Sequence, residues 1–393
     1  MPSTSLDDAR FTAIDWDDEE RGLPRPRWRT VGLVLALAVL AVLFAYDFLA
    51  RPQQLVGALN WDLNRIDWLL LISLVLLGRY VLFPLVADRR RTRRYVRAFL
   101  GRPMALGSAV VLLGFVLVAL VGPEALDRSW ARLRHANQPA FWEKVYVADA
   151  WDYHCVGEMT NGYCHGSLAY PLGTTQYGES ISLLLARGTR VALVLGVSAA
   201  MIMGIVATAV GTTAGYVGGW VEDALTSYVD VQQTVPGMVV FIVLATLFLG
   251  NLAGVTQGGL FAVAVVFGLF DWGGIARLVR SEVSTRRRAG YVRAAQSAGA
   301  TDLGVIRRHI VPNSTGTIVT ALTRRIPLLV LAQTLLAYLG LHRAGSKSFG
   351  RLLRPDVEGG TSFVVTLLVL LTISFSVFGD EIRQVLDQGA EVA

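Results

Sequence analysis

Two cysteines, Cys155 and Cys164, stand nine residues apart in a polar, aromatic stretch, with Asn161-Gly162 as a turn between them. Outside the cytosol such a pair oxidises, so a disulfide is expected; the alternative is two reduced, buried thiols. His154 and His165 flank the pair and suggest a metal ligand set, but no further ligand clusters with them, so no metal is expected. Tyr228, Asp230, Gln232, Gln233 and Thr234 form a second polar group just before Pro236. It could line a polar path, or cap and pack a helix start. Asp230, Asp271 and Arg277 lie at the ends of apolar runs, so a proton relay at mid-membrane is not supported. Neither lysine follows a glycine: Glu143 precedes Lys144 and Ser346 precedes Lys347, so there is no Walker A loop. HExxH, GxSxG and GxGxxG after a strand are also missing. These residues offer no catalytic centre and no cofactor site, and the chain reads as non-enzymatic.

The elements around them are mostly membrane-length. Of 393 residues, 53% are hydrophobic, and several uncharged runs reach the ~20 residues that a spanning helix needs. The net charge of +6 does not indicate nucleic-acid binding, because its arginines cluster beside apolar runs and no nucleic-acid motif accompanies them. Residues 1–30 read as a cytosolic tail, acidic and then basic, with no cleavable signal peptide evident. Spans are expected at Val31–Phe48, Trp68–Ala87, Met104–Gly122 and Val191–Val217. Two more divide Val231–Phe270, and the last are Ile326–Leu341 and Thr361–Phe378. Seven arginines between Arg89 and Arg102, against two between Ala50 and Asp67, place the 89–102 connector and both termini in the cytosol. Arg79 falls inside the second span. Residues 218–230 read as a short acidic cytosolic turn, out of keeping with the basic loops near it.

A basic loop from Arg277 to Arg325 contains the segment YVRAAQSAGATDLGVIRRHIVPN, Tyr291–Asn313. It reads as two short helices. Gly299 takes a C-cap position, Thr301 caps the second helix with Asp302 in its first turn, and Pro312 ends it. Leu303, Ile306 and Ile310 recur on one helical face. From these residues alone, an amphipathic pair lying on lipid headgroups and a protein-docking pair are both open.

That segment closely resembles the EAA motif of ABC-importer permeases of the dipeptide/oligopeptide/nickel class. Ala294, Ala295, Gly299, Ile310 and Pro312 fill the motif's places, while Arg293 stands where the family has Glu. The resemblance covers roughly residues 97–387. Arg97–Gly122 is similar to the first core span, and YPLGTTQYGESISLLLARGTR (Tyr170–Arg190) to the Pro-Leu-Gly-Thr-Asp segment, with Thr175 for Asp and Glu179 for Arg. Gly215, Tyr216, Gly218, Gly219, Trp220, Asp230, Pro236 and Gly237 match AGYxGGWxD…VDxxxxxPG. Tyr338–Gly350 resembles FLGL…SWG with Phe349 for Trp, and Gly379-Asp380 resembles the closing GD.

The resemblance implies an all-α membrane protein: a six-helix type I permease core with two extra N-terminal helices, about eight spans in all. The expected divisions are a tail at 1–30, extra spans and connector at 31–96, a first core span at 97–122, an extracytoplasmic region at 123–180, and a core at 181–393 with the coupling loop at 277–325. It further implies a second related permease, two cytosolic ATPases holding ATP and Mg, an external solute-binding protein, and lipid as partners. Tyr291, Arg293, Ala294, Ala295, Gly299, Ala300, Asp302, Ile310 and Pro312 would couple to an ATPase. Tyr228, Asp230, Gln233 and Pro236 would line the pathway, and Pro171, Gly173, Thr174, Tyr338 and Gly340 an external gate. A channel or secondary transporter without an ATPase is the competing class; midplane charges and inverted repeats, its usual marks, are not seen.

Overall fold

The structure is a computed structural model describing residues 28–50, 64–83, 86, 89–126, 133–147, 154–244, 246–247, 259–341, 348–354, 357 and 360–391. The tail at 1–27 therefore lies outside the described residues. Residues 1–51 form one unit and 52–393 another. In the first, α1 (Trp28–Ala50) is apolar apart from Arg29 and Thr30 at its start and Asp47 near its end, and none of its Val31–Leu49 window is buried. Its 23 residues make a rod of about 35 Å, long enough for a hydrocarbon core.

The second unit is mostly helical. It contains α2 (Arg65–Leu77, running into a π-helical turn at Gly78–Leu82), α3 (Arg89–Leu100), α4 (Pro103–Leu126) and α5 (Ile181–Val217). Then follow α6 (Gly219–Thr234), α7 (Gly237–Leu244), α8 (Leu260–Phe270) and α9 (Gly273–Arg287). The chain continues through α10 (Gly290–Ser297), α11 (Asp302–Val305, with a π-helical turn at Ile306–Ile310), α12 (Val311–Tyr338), α13 (Phe349–Leu352) and α14 (Thr361–Glu391). Arg79 sits in the first π turn, its guanidinium 5.5 Å from the centroids of the Tyr80 and Phe83 rings.

By length and apolarity five helical stretches could cross a membrane: 31–49, 103–126, 181–217, 302–338 and 361–385. Two bent pairs, α6 with α7 (74°) and α8 with α9 (42°), raise the count to seven if each is one span. The sequence counts an eighth, at the α2 run. Two expected boundaries move. The Val191 span begins at Ile181, and the Ile326 span begins at Val311, so residues 311–325 are helix rather than loop. Residues 219–230 are likewise helix, not a turn.

The all-helical expectation also misses a small antiparallel sheet of order β1–β3–β2, with β1 Lys144–Tyr146, β2 Met159–Thr160 and β3 Tyr163–His165. Asn161 and Gly162 both have positive φ (51° and 78°), which is what a two-residue hairpin turn requires. Cys155 and Cys164 are joined in a disulfide beside it.

The core is organised around α5. Lipid tails are as apolar as leucine, so membrane helices associate by close contact between small residues. Along α5, Gly188, Gly196 and Gly204 recur every eight residues against Phe349, Ile326 and Leu322 respectively. Gly211 and Gly215 lie against α9 so closely that a Cβ at either would stand 2.6 Å from the carbonyl oxygen of Ala276 or Arg280. On α9, Ile275, Ala276, Val279 and Val283 fill the matching face and are all buried.

This geometry fixes the sign of a substitution. Gly→Ala gains about 1 kcal/mol of helix propensity, but overpacking against an immobile backbone costs about 1–3 kcal/mol. Gly211→Ala and Gly215→Ala should therefore lower the melting temperature in mild detergent. Gly107→Ala in α4, where nothing lies within 4 Å, should raise it or leave it unchanged. Equal melting of all three variants would contradict the close α5–α9 contact.

Candidate functional site

At about 1.5 Å per residue α5 is roughly 55 Å long, so its two ends define two distant sites. At its C-terminal end lies the segment 290–312. Helix α10 starts where Ala289 is extended and closes on a Schellman motif. There Ala300 N–H donates to the Ala295 carbonyl (3.0 Å), Gly299 N–H donates to the Gln296 carbonyl (3.0 Å), and Gly299 has φ +81°. An L-residue is strained at that φ, which is the physical reason for glycine here. Thr301 then caps α11, its hydroxyl accepting from Gly304 N–H at 3.3 Å.

The segment is anchored on one side only. Val292, Val305 and Ile310 are fully buried in the core that also holds Val279 and Val283. Tyr291, Arg293, Ala294, Ala298, Gly299, Ala300, Asp302 and Leu303 are exposed, while Ala295 is half-buried. Polar contacts add a second anchor. Tyr216, one residue from the end of α5, donates its hydroxyl to Asp302 Oδ1 (2.6 Å) and accepts from Gln296 Nε2 (3.2 Å). The Arg287 guanidinium lies 5.7 Å from the centroid of that tyrosine ring and reaches the Val217 carbonyl. Sequence reasoning placed Tyr216 in a motif without giving it a role. Its signal was an aromatic hydroxyl one residue before the end of a long, mostly apolar run.

Two expectations fail here for one reason. Leu303 is not on the face of Ile310: it is 64% exposed while Ile310 is 0% exposed. The π turn at Ile306–Ile310, with Val311 N–H reaching back to the Ile306 carbonyl, adds a residue to one turn. The inward face therefore steps from Val305 to Ile310, five residues on. Nor does Pro312 end the segment. It sits in the first turn of α12, where the ladder changes register, and the helix runs on to Tyr338.

The polar set before Pro236 meets the second helix break. Pro236 follows α6 at the 74° bend, and Asp271 and Trp272 separate α8 from α9 at the 42° bend. Tyr228 stacks on Trp272 (5.9 Å between centroids), and Asp230 pairs with Arg277. A Cβ on Gly273 would stand 2.6 Å from Gln232 Oε1 and 3.2 Å from Gln233 Nε2. Glu222 also pairs with Arg280 (3.5 Å). Two of the three carboxylates that made 218–230 look out of place, Glu222 and Asp230, thus serve the arginines of α9. Asp271 pairs with Arg325, and Arg324 with Asp380, linking α12 to the break and to α14.

At the other end of α5 the residues expected at an external gate are held rather than loose. Thr174 is buried, accepts from Gln138 N–H (2.9 Å) and donates to the His135 carbonyl. Gly173 has φ +81° and packs against the Gln138 carbonyl, and Pro171 accepts from Phe141 N–H. Gln138 also bonds the His154 carbonyl and Val156 N–H, tying the disulfide hairpin to this turn. Glu179 pairs with Arg351 (2.7 Å). Tyr338 is exposed, and Gly340 (φ +71°) closes α12 in a second Schellman motif through Leu341 and Leu336. His154 stacks on His135 at 5.7 Å, whereas His165 bonds Thr160, so the two histidines flanking the cysteines face different partners.

A test follows from the tyrosine bridge. A hydrogen bond to a carboxylate contributes about 1.5–3 kcal/mol. Tyr216→Phe should raise amide exchange between Val292 and Val305 about tenfold or more, with exchange inside α5 at 196–204 unchanged. Unaltered protection at 292–305 would show that the bond does not hold the segment.

Residues 201–392 match the profile of the family described as binding-protein-dependent transport system inner membrane component. The oligopeptide transport system permease protein OppC of Escherichia coli K12 is 30% identical over 306 residues, which are 74% of this chain and 89% of that one. The glutathione transport system permease protein GsiD of Pectobacterium atrosepticum is 28% identical over 256 residues, 63% of this chain and 81% of that one. The dipeptide transport system permease protein DppC of Lactococcus lactis is 28% identical over 228 residues, 56% of this chain and 64% of the relative, so the match spans just under two thirds of that protein. Among solved structures, a chain of the MetNI methionine ABC transporter overlays 52% of this chain, and 96% of its own length, with a TM-score of 0.43 and 20% identity. That overlay is too loose to argue from. By its identity to the OppC relative along nearly the whole of that protein, this multi-pass membrane protein belongs to the family of binding-protein-dependent transport system inner membrane components.

Proposed function

We propose that this chain forms half of the substrate pathway of an ATP-driven importer and passes the closure of cytosolic ATPases to its membrane helices as alternating access. The observation that carries the proposal is the one-sided anchoring of 290–310. Its inner face is fixed by Val292, Val305, Ile310 and the Tyr216–Asp302 bond, while its outer face of small residues and arginines stands open. A body that moved this segment would pull on α9, with which it shares a buried core, and on α5 through Tyr216. Two-state closure of that kind needs such rigid, packed joints.

In this reading the ATPases supply nucleotide and magnesium chemistry, and this chain supplies none. A second related permease completes the pathway, a solute-binding protein delivers cargo at the disulfide end, and lipid surrounds eight spans with both termini in the cytosol. Tyr228, Asp230, Gln233 and Pro236 line the pathway where the two helix breaks meet, and Pro171, Gly173, Thr174, Tyr338 and Gly340 frame its outer mouth. The relatives' printed names concern dipeptides, oligopeptides and glutathione, so peptides are the proposed cargo.

Gly299 tests the coupling role. Nothing lies within 4 Å of a Cβ there, so a side chain would not clash within the chain. Its φ of +81° would nevertheless strain an L-residue by about 1–2 kcal/mol and disturb the angle between α10 and α11. Gly299→Val should leave the chain in the membrane at normal abundance, yet reduce its stimulation of ATP hydrolysis about tenfold. Gly290→Ala, in open space without positive φ, should behave as wild type. Normal transport by Gly299→Val would overturn the proposal, as would purification in mild detergent as a lone homo-oligomer without any ATPase.

A further inference from the structure

The arginines around the docking segment fall into two groups. One group is paired: Arg277 with Asp230, Arg280 with Glu222 and Thr226, Arg286 with Glu282, Arg324 with Asp380 and Arg325 with Asp271. Arg287 is held by the Val217 carbonyl and the Tyr216 ring. Arg288, Arg293, Arg307 and Arg308 are exposed, and none of their guanidinium groups has an ion-pair or hydrogen-bond partner among the described residues. They belong to one surface, because the Tyr291 and His309 rings lie 6.3 Å apart and bring α10 beside the π turn.

Among the described residues these four meet no carboxylate. Between Glu282 and Asp356 the chain has one acid, Asp302, and the Tyr216 hydroxyl already donates to it. A guanidinium carried from water into a protein contact is unfavourable unless a carboxylate meets it with hydrogen bonds. A lipid surface would satisfy the charge, but an interfacial helix also inserts a free apolar face. Here that face, Val292, Val305 and Ile310, is already buried in the core. Apart from Leu303 and Tyr291, two separate side chains rather than a continuous apolar face, what remains outward is small and cationic, which suits a protein groove.

Resting on the reading that an ATPase docks here, we infer that the groove receiving this segment is acidic, with Asp or Glu side chains opposite Arg293 and the Arg307–Arg308 pair. The sign of the contact is set by this chain, and an ATPase with a neutral or basic groove would not fit it.

The test uses the full-length chain in nanodiscs and the ATPase subunits that co-purify with it, identified by sequencing and then separated and titrated back. Affinity should fall at least tenfold for Arg293→Glu and for Arg307→Glu/Arg308→Glu, and should weaken as salt is raised. Arg293→Lys should retain most of it, and Arg94→Glu, an exposed arginine on α3, should change nothing. Reversing a groove carboxylate to Arg should restore binding to Arg293→Glu. If wild type binds the ATPase but the charge reversals and salt have no effect, the acidic-groove inference is wrong while the coupling reading stands. If the reversals instead alter only retention of phosphatidylglycerol against phosphatidylcholine, the surface is a lipid contact and the inference is again wrong. If wild type binds no ATPase at any salt, the coupling reading itself fails.

Discussion

The close contact of α5 with α9 is the constraint from which the rest of the molecule follows. At Gly211 and Gly215 the two backbones approach until a single methyl would touch a carbonyl oxygen. In a bilayer this proximity, rather than burial of apolar area from water, is what holds helices together. It also determines stiffness. At this contact only the short β-branched side chains of Val279 and Val283 meet the glycines, with one preferred χ1 rotamer each in a helix, so the two helices have little room to shift past each other. The 290–310 segment inherits this stiffness because Val292 and Ile310 share the core of Val279 and Val283.

Flexibility must then lie elsewhere, and the chain provides it at two breaks. Pro236 removes a backbone donor and bends α6 from α7 by 74°, and Asp271-Trp272 interrupts α8 and α9 at 42°. Both breaks are bridged by polar contacts, Tyr228 with Trp272, Asp230 with Arg277 and Asp271 with Arg325. Partly exposed ion pairs of this kind contribute only about 0–1 kcal/mol each. They are strong enough to favour one arrangement and weak enough to exchange, which is what a joint between two packed bodies needs.

Much of this was legible in the residues. The apolar runs located the long helices. Asn161-Gly162 marked a turn, though not the strands it joins, and Gly299 with Thr301 marked the break between two short helices. What escaped shares a physical origin. Helical periodicity assumes a constant 3.6 residues per turn, and the π turn at 306–310 breaks that assumption, so Leu303 was assigned inward and Pro312 read as a stop. The acidic run at 218–230 was read as a turn because its partners, Arg277 and Arg280, lie some fifty residues away. Helix boundaries at Ile181 and Val311 were missed because charge was taken to end a span. In fact Arg187 and Arg190 lie within α5, and Arg324 and Arg325 within α12, the latter two neutralised by Asp380 and Asp271.

The same pairing logic separates structural charge from charge held for another molecule. Within the bundle an unpaired guanidinium would be costly, and the arginines of α9 and the middle of α12 each have a carboxylate, hydroxyl or carbonyl in reach. Arg293 has no such need where it stands, because water solvates it. Its position on a segment whose other face is locked to α5 and α9 means that any charge brought against it acts on the helices directly. In the proposed coupling, a contact at this surface would reach the membrane core through one tyrosine bridge and three buried aliphatic side chains. No part of that path requires the segment itself to refold.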